Sequence, residues 1–226
     1  MADDSIRTPA EGWTNQEMSA NRFNANSRFV KCVGCVILAA GESKRMSTNK
    51  LLLPVCSNVP MIRTVTMTAL HSSVLCVIVI VNPKLGDTVD AIKDLDVEVI
   101  SNELANKGMS TSFQLGIKAL QTHGMDGGVF LLGDMPSVRA PWIDKVIDVY
   151  WSSKASIVQA SYFGVPGHPV LFDSSVFSNA TEIDGDEGGR SLVRQFSSNR
   201  VLVEMGAPYP IDLDTPEEYQ AYRKQW

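Results

Sequence analysis

The sequence predicts a three-layer α/β fold with a mostly parallel sheet. Three observations carry that expectation. From Cys32 onward, apolar runs of strand length alternate with amphipathic runs of helix length. The run Val74–Val81 places β-branched residues on both faces, as a central parallel strand covered on two sides requires. Small or acidic residues, Gly41 and Gly133-Asp134, follow two of the apolar runs at once. Sheets of this class bind ligands beyond the carboxyl ends of their strands.

Taken in order, Cys32–Ala39 reads as a buried strand ending at Gly41. Pro60–Ser72 reads as a helix, with proline at its start and Ile62, Val65 and Ala69 on one face. Val74–Val81 is a strand, Lys84–Leu95 a short helix and Val97–Ile100 a short strand. Met109–Gln121 is a helix with Phe113, Ile117 and Leu120 in register, followed by a strand at Val129–Leu132. Pro141–Trp151 is a helix, Ser156–Tyr162 a strand, and Gly164–Pro169 a rigid turn leading into a short strand, Pro169–Phe172. Gly189–Phe196 is a helix and Val201–Glu204 a strand. Asp214-Thr-Pro-Glu-Glu218 opens a last helix, with a capping residue, proline near N1 and acids in the first turn.

Composition narrows the function. The 226 residues carry a formal net charge of -5, which excludes a generally basic nucleic-acid-binding surface. No apolar run approaches the roughly 18 residues that a membrane-spanning helix needs. Residues 1–30 are polar, rich in Asn, Ser and Ala, and without period, so they read as a flexible tail preceding one domain over 31–226. That tail has no apolar core of an export signal, and four cysteines do not make a disulfide scaffold in a chain of this length. Cys32 and Cys35 have CxxC spacing, but residues three apart on a strand face opposite ways. These features together point to a cytoplasmic enzyme or binding domain with reduced thiols.

Two loops carry the chemistry. After the first strand, Ala39, Ala40 and Gly41 allow close approach of a ligand to the backbone. Lys44, Arg45 and Lys50 then gather three cations in an otherwise acidic chain, an anion site whose size suits a triphosphate. Neither the P-loop spacing nor the GxGxxG dinucleotide pattern is present. Asp134 follows an apolar run at a strand's carboxyl end, where a Mg²⁺ ligand would sit; alone it would read as a turn cap, but beside the basic phosphate loop the metal-ligand reading is the stronger. Asn102 and Gly108–Ser112 either border a ligand or cap a helix. His168 in a Gly- and Pro-rich segment, the acidic loop 184–190, and Asp212 with Asp214 are individually open to structural readings.

In order along the chain stand Val36-Ile-Leu-Ala-Ala-Gly41, Ser43-Lys-Arg-Met46, Lys50-Leu-Leu-Leu-Pro54, Gly108-Met-Ser110, Gly133-Asp-Met-Pro136, Gly167-His-Pro-Val-Leu-Phe172, Gly185-Asp-Glu-Gly-Gly-Arg190 and Asp212-Leu-Asp-Thr-Pro-Glu217. This set resembles the nucleotidyltransferases that complete the molybdenum cofactor, and most of all their cytidylyltransferase, MocA-like branch. The resemblance implies a Rossmann-like nucleotidyltransferase fold, CTP with Mg²⁺, and molybdopterin or the molybdenum cofactor as acceptor, with cofactor-insertion or molybdoenzyme proteins as possible partners. It implies that Leu38, Ala39, Ala40 and Gly41 cradle the base and that Lys44, Arg45 and Lys50 handle the phosphates. Asp134 would hold Mg²⁺ together with Asp212, and Asn102, Gly108 and Ser110 would border the nucleoside. His168, Asp186, Arg190, Asp212 and Asp214 would line the acceptor side. The guanylyl-transferring relatives are recognised by Gly-Gly where this chain has Ala40-Gly41. One departure is Ser47, at a position where the family loop usually has glycine.

Overall fold

β-branched and other apolar residues at consecutive positions drive Val33–Ala39 (β1) into the middle of the sheet, where nearly every residue is buried. The computed structural model describes residues 31–41, 46, 48–183 and 185–224. The tail expected over residues 1–30 lies outside them, as do Lys44, Arg45 and Ser47.

The strands that follow are Val77–Val81 (β2), Glu98–Ser101 (β3), Gly127–Leu132 (β4), Ile157–Tyr162 (β5), Val165–Asp173 (β6) and Arg200–Glu204 (β7). They form one seven-stranded sheet in the order β3-β2-β1-β4-β6-β5-β7. β1 pairs in parallel with β2 and with β4, and its register sets Leu38 opposite both Ile80 and Leu132. β6 alone among the described strands runs against its neighbours.

Period-two alternation in β1 separates the layers. Cys35, Ile37 and Ala39 pack with Ile62, Val65 and Ala69 of the helix Met61–Leu70 (α1), and with Ile143, Val146 and Ile147 of Ala140–Ser152 (α4). Val36 points the other way, onto Met109–Thr122 (α3), where a carbon on Gly116 would lie 2.6 Å from its methyl group. Phe113 of α3 stacks there on Phe130 and Phe172, with ring centroids 4.4 and 5.3 Å away. Helices on both faces of a mostly parallel sheet give the three layers that the alternation predicts. All four cysteines are free thiols; burial pushes the Cys35 thiol pKa up, and that of Cys76 to about 11.

Two elements differ from the sequence reading. Instead of a helix over 84–95, only Asp87–Asp90 (α2) is helical. Arg63 reaches across from α1, donating to the Ala91 carbonyl at 3.1 Å and to the Asp94 carboxylate at 2.6 and 2.8 Å. That guanidinium takes the carbonyl a continuing helix would use, in a stretch of aspartates that are poor helix formers. It also holds the Asp94 carboxyl down at about 2.

The second difference is β6, which starts at Val165, so most of Gly164–Pro169 is strand rather than turn. The reversal is made by Phe163 and Gly164, at φ 49° and 85°, the left-handed pair of a tight hairpin. Pro166, Gly167 and Pro169 read as breakers, yet the ladder slips between Gln159 and Ala160, and strands accept proline at such irregularities.

Candidate active site

β1 and β4 end side by side. Gly133 donates its N–H to the Leu38 carbonyl at 2.9 Å, and a carbon on Gly133 would come within 3.2 Å of the Ala39 side chain. This junction opens into a cleft of about 570 Å³. Leu38, Ala39, Ala40 and Gly41 line one wall, with Lys50 and Asp134 below. Gly108, Asp186, Arg190, Asp212 and Asp214 line the rest, so the structure assembles most of the sequence-predicted residues around one space.

At its floor the Lys50 ammonium sits 2.5 Å from Asp134 Oδ2 and 2.5 Å from Asp214 Oδ1. Local chemistry fixes all three. Lys50 begins a short turn capped by the Asn49 side chain, which accepts from Leu51 N–H and donates to the buried Thr88 hydroxyl at 2.8 Å. Asp134 follows β4 directly, and its carbonyl accepts from Leu213 N–H at 3.1 Å. Leu213 is buried against Val55 and Met61, while Asp212 and Asp214 on either side of it reach the cleft. The Asp214 N–H donates to Glu218, the acid of a capping box with Thr215 that opens Pro216–Arg223 (α6).

Burial by itself would lower the Lys50 pKa, but the Asp134 and Asp214 carboxylates together raise it above the ordinary value, so the lysine is cationic. Asp212 is pushed up to about 6, first by burial and then by the neighbouring Asp134 and Asp214 charges. Asp134 Oδ1 is buried with no hydrogen-bond partner. An orphaned carboxylate oxygen beside further carboxylates is the donor chemistry a hard divalent cation takes, and the residues present fit one. Among the described residues no three His, Cys, Asp or Glu side chains form a metal-binding group. The carboxylate opposite Asp134 across the lysine is Asp214, and Asp212, which the motif resemblance sets beside Asp134 as a metal ligand, lines the same cleft.

The far wall is held by close glycine contacts. Gly108 has φ 110°, and a carbon there would lie 2.5 Å from the Gly185 carbonyl oxygen and 2.7 Å from Asp186 Oδ1. A carbon on Gly189 would lie 2.9 Å from both the Phe113 and Phe172 rings, so the start of Arg190–Gln195 (α5) sits tightly on the aromatic cluster, with Arg190 lining the cleft.

Three predicted residues stand back from the cleft. Asn102 is 2% exposed; its amide donates to the Thr111 and Ser112 hydroxyls at 2.9 and 2.8 Å, and its Oδ1 accepts from Leu104 N–H. It braces the start of α3. Ser110 is 1% exposed in the first turn of that helix, turned inward by helical periodicity. His168, half-buried in β6, places Nδ1 3.1 Å from the Phe130 carbonyl. Burial lowers its pKa against the opposing pull of that carbonyl and Asp134, so the imidazole is neutral at pH 7.

Sequence reasoning missed Lys107, Tyr209 and Glu204. Lys107 lines the cleft beside Gly108, and a lysine directly before Gly-Met-Ser was its only signal. Tyr209 crosses the Tyr162 ring at 5.6 Å and packs over Gly167. Glu204 Oε1 accepts from Phe163 and Gly206 N–H at 2.9 and 3.0 Å, and Oε2 from Gly164 N–H and the Ser161 hydroxyl, both at 3.1 Å. One carboxylate thereby ties the β5–β6 hairpin to the segment leading to Asp212. These four donors, the backbone N–H of Gly206 foremost, hold the Glu204 pKa down at about 2.

Residues 35–201 match the MobA-like NTP transferase domain. The chain belongs to that family. It is therefore a nucleotidyltransferase. Its relatives include the purine catabolism protein PucB of Bacillus subtilis, 29% identical over 84% of this chain and 95% of that one. They also include the molybdenum cofactor cytidylyltransferase of Escherichia coli, 24% identical over 87% of this chain and 98% of its own, in keeping with the motif resemblance. Among solved structures, Rv0371c from Mycobacterium tuberculosis superposes with a TM-score of 0.78 at 24% identity, over 86% of this chain and 98% of that one. The same protein has been solved as a manganese complex. This likeness shows the Rossmann-like fold. Among the described residues no helix is long and apolar enough to cross a membrane.

Proposed function

We propose that this MobA-like enzyme transfers CMP from CTP to the terminal phosphate of molybdopterin or its molybdenum-loaded form. The observation that carries the reading is the junction of the Ala39-Ala40-Gly41 wall with the Asp134–Lys50–Asp214 floor in one cleft. Support for the nucleotide and the acceptor comes from the cytidylyltransferase relative.

An acceptor phosphate oxygen attacks the α-phosphorus of CTP in line. A new P–O bond forms, the bond to the β-phosphate breaks, and pyrophosphate leaves. The nucleophile is already ionised at pH 7, so no general base is needed; a neutral His168 hydrogen-bonded to a backbone carbonyl fits that economy. Leu38 to Gly41 bind the base by backbone and small side chains. Lys50 and Lys107, with Lys44 and Arg45, hold the phosphates and spread the charge of the leaving group. Asp134, with Asp214 or Asp212, would hold Mg²⁺, which supplies charge neutralisation to the triphosphate when bound. Arg190 and Asp186 orient the acceptor, and the product passes to a cofactor-insertion or molybdoenzyme protein.

PucB supports a second reading, since its name gives a catabolic role and no acceptor: the same transfer to another phosphorylated acceptor. Mass spectrometry of the product from CTP, Mg²⁺ and molybdopterin, beside parallel reactions with sugar phosphates, decides between them. A cytidylylated pterin as the main product supports the first reading. Turnover only with another acceptor overturns it.

A further inference from the structure

We propose that Lys50 is a built-in stand-in for a divalent cation: its ammonium and the metal are alternative occupants of the Asp134–Asp214 carboxylate pair. Binding of metal–nucleotide then exchanges one cation for the other and frees Lys50 to turn to the phosphates. The inference rests on the reading of Asp134 and Asp214 as metal-holding residues given above.

The geometry carries it. Asp134 and Asp214 come from segments far apart in sequence, and Lys50 bridges them with 2.5 Å contacts on both sides. The lysine side chain is 9% exposed, so this pairing takes place largely out of water. Two carboxylates held this close without a cation between them repel strongly at low local dielectric. Lys50 removes that repulsion, and its ammonium occupies the space between the two carboxylates that would hold the metal.

The pairing is incomplete in one respect: Asp134 Oδ1, buried and without a partner, is an oxygen the ammonium leaves unsatisfied. A metal, which takes about six oxygen ligands, can use it. The backbone of Lys50 is fixed by the Asn49-capped turn, while its head moves on a flexible four-carbon stem. Exchange therefore needs rotation of one side chain and no movement of the loop. The consequence is an order of binding: metal alone competes poorly with Lys50, whereas metal arriving with a triphosphate brings the anion that gives Lys50 a new partner.

The test uses Mn²⁺ alone, without nucleotide or acceptor, on the full chain. Free Mn²⁺ is followed by electron paramagnetic resonance during titration of wild type, Lys50→Met and Lys50→Arg. Lys50→Met is expected to bind Mn²⁺ at least about tenfold more tightly than wild type, because the carboxylate pair has lost its internal cation. Lys50→Arg, which keeps a cation, is expected to stay weak. The gain in Lys50→Met should disappear when Asp134→Asn is added. If Lys50→Met folds poorly, Mn²⁺ should restore its melting temperature more than it raises that of wild type. Equal or weaker Mn²⁺ binding in Lys50→Met, or an Mn²⁺ shift in melting temperature no larger than that of wild type, overturns the proposal. A wrong acceptor or a different nucleotide base would leave these outcomes unchanged, so this test and that of the proposed function fail separately.

Discussion

Leu38 to Gly41 form one wall of the cleft as four consecutive residues, whereas the opposite wall takes Gly108, Asp186, Arg190 and Asp212 from three separate segments. The first wall inherits its shape from the sheet: β1 is hydrogen-bonded on both sides, and its end follows wherever β4 and β2 end. The second wall is shaped by contacts between loops, Gly108 against Gly185 and the Glu204 carboxylate across the hairpin turn. A wall made by a central sheet tolerates little change, while a wall made by loop contacts can be altered without unfolding the domain. On the functional reading proposed here, nucleotide binding stands on the rigid side and acceptor choice on the adaptable one.

The largest expected effect lies where the two walls meet. Asp134→Asn should lower turnover by roughly a hundred- to a thousandfold, since a neutral amide is a poor ligand for the charge-neutralising metal. Steady-state rates with a melting curve check it. Near-normal turnover at ordinary Mg²⁺ would remove Asp134 from the mechanism.

Next comes the joint of the second wall. Gly108→Ala meets a backbone oxygen and needs a left-handed φ, so it should cost about 2–3 kcal/mol of stability. Gly164→Ala, also at positive φ but with nothing within 4 Å, should cost only about 1 kcal/mol. Urea titrations of both variants give the difference. Equal losses would show that the Gly108–Gly185 contact adds nothing beyond backbone conformation.

Within the first wall, Ala40 is buried and lines the cleft. Ala40→Gly removes one methyl group beside the base and should raise the use of GTP relative to CTP by about tenfold, without improving CTP itself. Both nucleotides in one reaction, with each product counted, report the ratio. A wild type that already prefers GTP would overturn the cytidylyl assignment, and an unmoved ratio would place base selection elsewhere in the cleft.

The smallest effect belongs to the hairpin tie. Glu204→Gln should raise the KM for the acceptor several-fold and leave that for CTP unchanged. Its pH signature has a definite sign. The folded-state pKa is depressed to about 2 from an ordinary 4.5, so the tie stabilises the fold above pH 4.5 and fades as pH falls toward 2. The melting-temperature gap between wild type and Glu204→Gln should therefore be constant near neutrality and close in acid. A gap that persists at pH 2 would mean the carboxylate charge is not what holds the hairpin.

The sequence by itself determined the layers, the parallel half of the sheet and the location of the cleft. Apolar periodicity records burial directly, and Ala39-Ala40-Gly41 and Gly133-Asp134 mark strand ends because close approach there demands small residues. The capping box of α6 was equally legible, since Thr215 and Glu218 act on their own helix. Only the tertiary structure decided what depends on partners distant in sequence. Arg63 ended the helix expected over 84–95, and the slip in the β5–β6 ladder let a proline-rich segment be strand. The same holds in the site: Asn102 and Ser110 turned inward, Lys107 and Glu204 gained roles, and Asp214 rather than Asp212 came to share Lys50 with Asp134. A local pattern states which face a residue prefers, but which charge it meets there is fixed only when separate segments fold onto the same sheet edge.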